Sequence, residues 1–231
     1  MEKEAILTFD KVTLAPQPPY EVGLAGVSFS LGSGELMAVR VEAGQARIPL
    51  ADAAEGLVEP GSGRVTFLGE DWLAMPPVRA STQRGRIGRV FERYGWISNL
   101  DVDENITLAQ RHHTTRPLPE IEEEAERLVK MFGLPDLPRM RPALMKRADL
   151  RRAEWARAFL GGPVLVILEE PTRDVYADAV ASLARAVEEA RARGAAVMLI
   201  SSDAQAWPTA AAGATHRFEF KGGRLLPREK E

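Results

Sequence analysis

Residues 36–58 constrain this chain more than any other passage. The apolar run Leu36-Met37-Ala38-Val39 leads through Val41-Glu42-Ala43-Gly44-Gln45-Ala46-Arg47-Ile48-Pro49 into a helix-patterned stretch, Leu50 to Val58. A strand, a loop and a helix in this order form the frame of a phosphate-binding loop, G-x-x-x-x-G-K-[ST]. In that loop backbone N–H groups cradle phosphates, a lysine reaches the terminal ones and a hydroxyl holds Mg²⁺. Here Val41 and Ala46 stand at the two glycine positions, Arg47 at the lysine and Ile48 at the hydroxyl, while Gly44 remains outside the defining positions. β-Branched Val41 resists the positive φ that glycine permits. Ile48 offers no oxygen to a hard cation. Pro49 suits a helix start but removes one N–H donor from it. Arg47 keeps the charge in a planar fork rather than a compact ammonium. The frame predicts that the loop folds; its residues predict that MgATP is not held in the usual way.

The passages that follow keep a consistent order. Gly56-Leu57-Val58-Glu59-Pro60-Gly61-Ser62-Gly63-Arg64-Val65-Thr66-Phe67-Leu68-Gly69 resembles the "GL-x-P-x-SG-x-v-x-x-x-G" passage of ATP-binding cassette (ABC) ATPases. Ile87-Gly88-Arg89-Val90-Phe91-Glu92 resembles their "igyvfQ" strand, with Glu92 at the glutamine, and Leu100 to Ile106 resembles "lTVxENv". Ala156-Arg157-Ala158-Phe159-Leu160 and Val164-Leu165-Val166-Ile167-Leu168-Glu169-Glu170-Pro171-Thr172 are similar to "ARALl…LLLLDEPT", and Lys221-Gly222-Gly223-Arg224-Leu225 to the closing "k-x-Gri" hairpin. The chain is thus identified as a degenerate member of the ABC transporter ATPase family, along essentially its whole length. The resemblance implies an α/β fold: a P-loop NTPase (RecA-like) core, an N-terminal antiparallel β portion and an inserted helical subdomain. It implies a single domain over 1–231, with core and β portion in 1–100 and 163–231 and the helical subdomain in 101–162.

Local patterns agree with that architecture. Strand formers with glycine punctuation occupy Ala5 to Phe9, Gly26 to Leu31, Gly34 to Val41 and Arg64 to Leu68. The proline-rich Ala15 to Tyr20 reads as a loop. Ile121, Ala125, Leu128, Val129 and Phe132 mark one face of a helix stopped by Gly133 and Pro135. A second helix is expected from Leu150 to Leu160, with Leu150, Ala153, Trp155, Ala156 and Phe159 apolar. Then come a buried strand at Val164 to Leu168, a helix from about Val175 to Arg193 and a strand at Ala195 to Ile200.

The other positions that carry chemistry in the family are mixed. Where "LSGGQ" is usual stands Met145-Lys146-Arg147-Ala148-Asp149. The resemblance implies that this motif opens a helix whose N–H groups meet the γ-phosphate of ATP on the opposite subunit. Arg147 and Ala148 hinder the close backbone approach that glycines allow. Asp149 suits a helix N-terminus and opposes phosphate. Lys146 or Arg147 is either a cation for phosphate in trans or a solvated helix start. Glu170 matches the general base, unless it is a structural carboxylate before Pro171. Glu169 replaces the Mg²⁺-binding aspartate, and Ser202 replaces the switch histidine. Tyr20 is the substitute candidate for the aromatic that stacks on adenine. Tyr94 and Trp96, with Phe91 and Ile97, lie in the segment that corresponds to the permease-docking groove and are candidate partner contacts.

The 231 residues carry no cysteine, a net charge of −3 and 45% hydrophobic residues. No run reaches the roughly 18 apolar residues of a membrane span, and Met1-Glu2-Lys3-Glu4 does not open a secretory signal. No thiolate metal site is available, the three histidines form no metal set, and no nucleic-acid partner is expected. The expected protein is a pseudo-ATPase subunit on the cytoplasmic face of a membrane. It would dock to a membrane permease subunit and form a homodimer or a heterodimer with another ABC ATPase subunit, with no cofactor. The alternatives are an active ABC ATPase that uses MgATP with atypical ligands, and an ABC-fold regulator not bound to a permease.

Overall fold

Central strands of a covered parallel sheet are apolar without a break, because both of their faces meet a packed layer. The computed structural model describes residues 5–42, 47–93, 95–203 and 207–228. In chain order its elements are β1 (Ala5–Leu14), β2 (Leu24–Gly32), β3 (Leu36–Arg40), α1 (Leu50–Ala54), β4 (Ser62–Phe67), β5 (Glu70–Asp71), α2 (Pro77–Arg84), β6 (Ile87–Val90), α3 (Val102–His113), α4 (Leu118–Met131), α5 (Arg147–Phe159), β7 (Leu165–Glu169), α6 (Ala177–Ala192), β8 (Ala196–Ser201), α7 (Trp207–Ala210), β9 (His216–Lys221) and β10 (Arg224–Pro227). A six-stranded sheet has the order β10-β9-β3-β8-β7-β6, and a four-stranded sheet the order β2-β1-β4-β5. β9, β3, β8, β7 and β6 pair in parallel, while β10 closes an antiparallel hairpin on β9. The smaller sheet is antiparallel.

Successive residues of β3 face opposite layers, as a period of two requires. Leu36 and Ala38 join Leu168 and Leu199 in a cluster with α3, α4, α5 and α6. Met37 and Val39 join Ile167 and Met198 in a second cluster with the antiparallel sheet and α1. The larger sheet therefore lies between a helical layer and the smaller sheet, and β3, β6, β7 and β8 end along one edge.

Two elements differ from their sequence expectation. The helix expected from Leu50 to Val58 ends at Ala54. Gly56 has φ +62°, and a Cβ there would stand 2.5 Å from Cγ of Trp72. The Trp72 indole donates to the Ala54 carbonyl at 3.0 Å, which completes the helix end. β1 runs on to Leu14 because the register shift between Phe9 and Val12, with Lys11 at φ +50°, lets pairing resume after an irregularity.

α5 holds the third surprise. The expected apolar residues are buried, with Trp155 edge-on to Phe132 at 5.4 Å. Arg151 and Glu154 are also buried, and both are fully enclosed. Arg151 donates to Glu154 at 2.7 Å and to the Phe91 carbonyl at 2.8 Å. Arg157 donates to Glu154 at 2.9 Å and to the Gly95 carbonyl at 2.7 Å. One face of α5 therefore ties down the segment that follows β6.

Candidate functional site

Open parallel sheets bind ligands beyond the carboxyl ends of their strands, and the expected site residues gather at that edge. Val41, Arg47, Ile48, Glu92, Glu169, Glu170 and Ser202 line one cavity of about 210 Å³. Pro49 N-caps α1 without a side-chain bond. Gly44, Ala46 and Tyr94 lie outside the described residues. The Met145 to Asp149 stretch is elsewhere: Met145, Lys146 and Asp149 border a separate cleft of about 650 Å³ with Leu134, Met140 and Leu144. Lys146 N-caps α5, Arg147 and Ala148 open it, and Asp149 stands 3.9 Å from Arg152.

Beside this cavity, and bonded to its Glu169, is a residue that the sequence reading placed only in a strand. Arg89, on β6, is buried and donates from Nε to Glu169 Oε2 at 2.8 Å, with Nη2 2.7 Å from the same oxygen. Its Nη1 lies 2.5 Å from Asp52 Oδ1 and also bonds Glu55. The Phe91 ring centroid lies 4.6 Å from the guanidinium carbon. Burial works against the charge of Arg89, but Glu169, Glu55 and Asp52 outweigh it and hold the guanidinium protonated. Asp52 further accepts from Arg47 Nη2 at 3.2 Å and from the Tyr20 hydroxyl. Tyr20 is itself buried, with Arg47 5.2 Å from its ring centroid. Its ring is thus committed to the protein and does not present a face for adenine.

The remaining carboxylates are engaged as well. Glu170, at φ +44° in the left-handed region, turns back onto β8. It accepts from the Ser202 N–H at 2.7 Å and from Ser201 Oγ at 3.2 Å. Glu92 lies 3.6 Å from Arg173, which also donates to the Glu92 carbonyl at 3.2 Å. These residues do not suit hydrated Mg²⁺. The hydroxyl position is a buried isoleucine, and the Glu169 oxygen nearest Arg89 is held by that arginine.

The segment expected to meet a partner is only partly exposed. Trp96 packs against the helical cluster, and Arg157 covers its ring at 4.7 Å. It is a packed side chain rather than a projecting anchor. Ile97 beside it is 43% exposed and Leu108 39% exposed. Both border a groove of about 490 Å³ between β6 and α3. Buried Asn105 fixes the backbone there, accepting from the Ile97 N–H at 2.8 Å and donating to its carbonyl at 3.1 Å.

Burial pushes the Glu169 carboxyl up to about 6 from 4.5, against the opposing pull of Arg89. A carboxyl raised on folding contributes stability below its unfolded value and loses it as pH rises through the folded one. Unfolding free energy is therefore expected to fall by about 2 kcal/mol between pH 4.5 and about 6 on account of this group. Denaturant titrations across that window check it, and Glu169→Gln should flatten the slope.

The parallel edge, the antiparallel side sheet and the inserted helices define a P-loop NTPase core with the architecture of an ABC ATPase cassette. A family model described as ABC transporter matches residues 24–173. The chain belongs to that family, as an ABC transporter nucleotide-binding domain. It is 28% identical over 190 residues to the phosphonates import ATP-binding protein PhnC 2 of Synechococcus sp. (strain JA-2-3B'a(2-13)), covering 79% of this chain and 71% of that one. Among solved structures it is similar to the dimeric cassette MJ0796 in a post-hydrolysis state bound to ADP and Pi. That match has a TM-score of 0.84 and 18% identity, over 97% of this chain and 98% of that one. It is also similar to cbiO1 from Clostridium perfringens, part of the ABC transporter complex cbiONQ, with a TM-score of 0.73 and 19% identity over 97% and 88%.

Proposed function

We propose that this chain is a cassette subunit of a membrane transport complex that does not hydrolyse ATP and acts through its shape. It would sit on the cytoplasmic face, docked to a membrane permease subunit and paired with a second cassette, either its own copy or a related subunit. The observation that carries this is charge compensation inside the site. Glu169 and Glu92, which stand at the family's metal-ligand and glutamine positions, are paired with Arg89 and Arg173 of the same chain. The resemblance to a phosphonates import protein supports transport as the context and import as its direction. A calorimetric titration with MgATP is expected to give no saturable heat at sub-millimolar nucleotide; saturable binding there would overturn the proposal. An active ATPase is favoured by one observation, Glu170 at the position of the general base. A hydrolysis rate that disappears in Glu170→Gln would establish that alternative.

The groove beside Ile97 supports a docking role. Ile97→Asp is expected to weaken assembly with the permease by about 2 kcal/mol or more, the size of a hot-spot effect, and to leave the isolated subunit folded. Trp96→Ala should instead lower the melting temperature of the isolated subunit. A membrane pull-down and a thermal melt of both variants separate the two roles.

A further inference from the structure

We propose that the segment after β6 is a fixed strut, which keeps the groove beside Ile97 formed and isolates it from whatever occupies the strand-edge cavity. This deepens the proposed function and rests on it for the groove's part in docking. Glu92 lines the cavity and Ile97 lines the groove, so the two places share one short stretch of chain. The direct route between them is the backbone of that stretch.

α5 holds this backbone along its length. Arg151 donates to the carbonyls of Phe91 at 2.8 Å and Glu92 at 3.4 Å, and Arg157 donates to that of Gly95 at 2.7 Å. Glu154, shared by the two arginines, also accepts from the Phe91 N–H at 3.3 Å. α5 is fixed in turn, because the Trp155 indole donates to the Pro171 carbonyl at 2.9 Å. At the groove end, Asn105 of α3 holds both the N–H and the carbonyl of Ile97. Arg151 and Glu154 are fully enclosed. Moving the segment would strip a buried guanidinium of acceptors that water cannot replace, which costs more than losing a solvated contact. Most loops beside a cavity open at little cost; this one is bonded to a core helix.

The contact on the cavity side is of another kind. Arg173 meets Glu92 at its carbonyl and, at 3.6 Å, at its carboxylate, but the Arg173 side chain is 42% exposed. A group entering the cavity can take Arg173 for itself while every bond from α5 stays in place. The groove therefore keeps one shape whether the cavity is filled or empty.

The reporter is amide hydrogen exchange at Ile97, read by NMR on the full chain. It is taken relative to Ile167 of β7, whose exchange follows global unfolding. The Ile97 N–H bonds Asn105, so none of the substitutions below removes its own acceptor. Arg173→Met frees the cavity side, and Ser202→Tyr fills the cavity, with Val41→Trp in its place if that variant does not fold. In each the ratio is expected to stay within about twofold of wild type, the range of a change away from the strut. Glu154→Gln should raise it roughly tenfold or more, the factor for a lost hydrogen bond to a charged group. If Glu154→Gln does not fold, Arg157→Met, at a side chain 14% exposed, takes its place. A ratio unchanged on the α5 side overturns the strut, and so does a several-fold change in a cavity variant. Saturable MgATP binding that leaves the Ile97 ratio unchanged would overturn the proposed function but not the strut. MgATP that shifts the ratio would overturn both.

Discussion

Glu154→Ala is expected to lower the unfolding free energy by about 3–5 kcal/mol, the range for removing one partner of a buried ion pair. Glu154 is fully enclosed, and its two oxygens accept from Arg151 and Arg157. Truncation removes the carboxylate that Arg151 and Arg157 share and leaves the Phe91 N–H, 3.3 Å from Glu154, without this acceptor. The loss should appear as a lower denaturant midpoint. The exposed Glu123→Ala on α4 provides the comparison and should stay within about 0.5 kcal/mol of wild type. An equal, small effect in both would mean that the buried triad does not hold the segment after β6. Because that segment leads from the cavity to the groove beside Ile97, the same variant should also weaken permease assembly.

Loop repair should fail while Arg89 remains. Val41→Gly, Ala46→Gly, Arg47→Lys and Ile48→Ser together restore the loop's glycines, its ammonium and its hydroxyl. Glu169 would nevertheless stay paired with Arg89, and no Mg²⁺-dependent binding is expected. Adding Arg89→Gln to the four should release that carboxylate. MgATP at a hundredfold excess over its Kd then stabilises the protein by about 2.7 kcal/mol, read as a rise in the melting transition. Hydrolysis should remain absent from both proteins, because Ser202 and Met145 to Asp149 are unchanged. Tight MgATP binding by the four-residue variant alone would remove Arg89 from its assigned place as the obstacle.

Much of the fold is legible along the chain because it depends on short-range pattern and spacing. The unbroken apolar runs at Leu36 to Val39 and Leu165 to Leu168 identify central strands. Gly133 stops one helix, and the order of passages from Gly56 to Leu225 identifies the cassette. The frame around Val41 to Pro49, and the absence of the usual ligands within it, follow from residue identity alone.

Tertiary structure decided where charge is placed. A lone arginine in a strand, or an arginine–glutamate–arginine series along a helix, is by default a solvated group. Period two shows that Arg89 points to one face of the sheet, yet only the packing of α1 on that face brings Asp52 and Glu55 opposite it. Arg151 and Glu154 are buried because the segment after β6 covers α5 and offers carbonyls to its arginines. Trp96 is half-buried against the helical cluster, and α1 stops early because Trp72, brought in from the neighbouring sheet, fills the space beside Gly56. The sequence determined the frame and which residues stand at its defining positions. The contacts between distant elements determined that Asp52, Glu55 and Glu169 meet at one buried guanidinium.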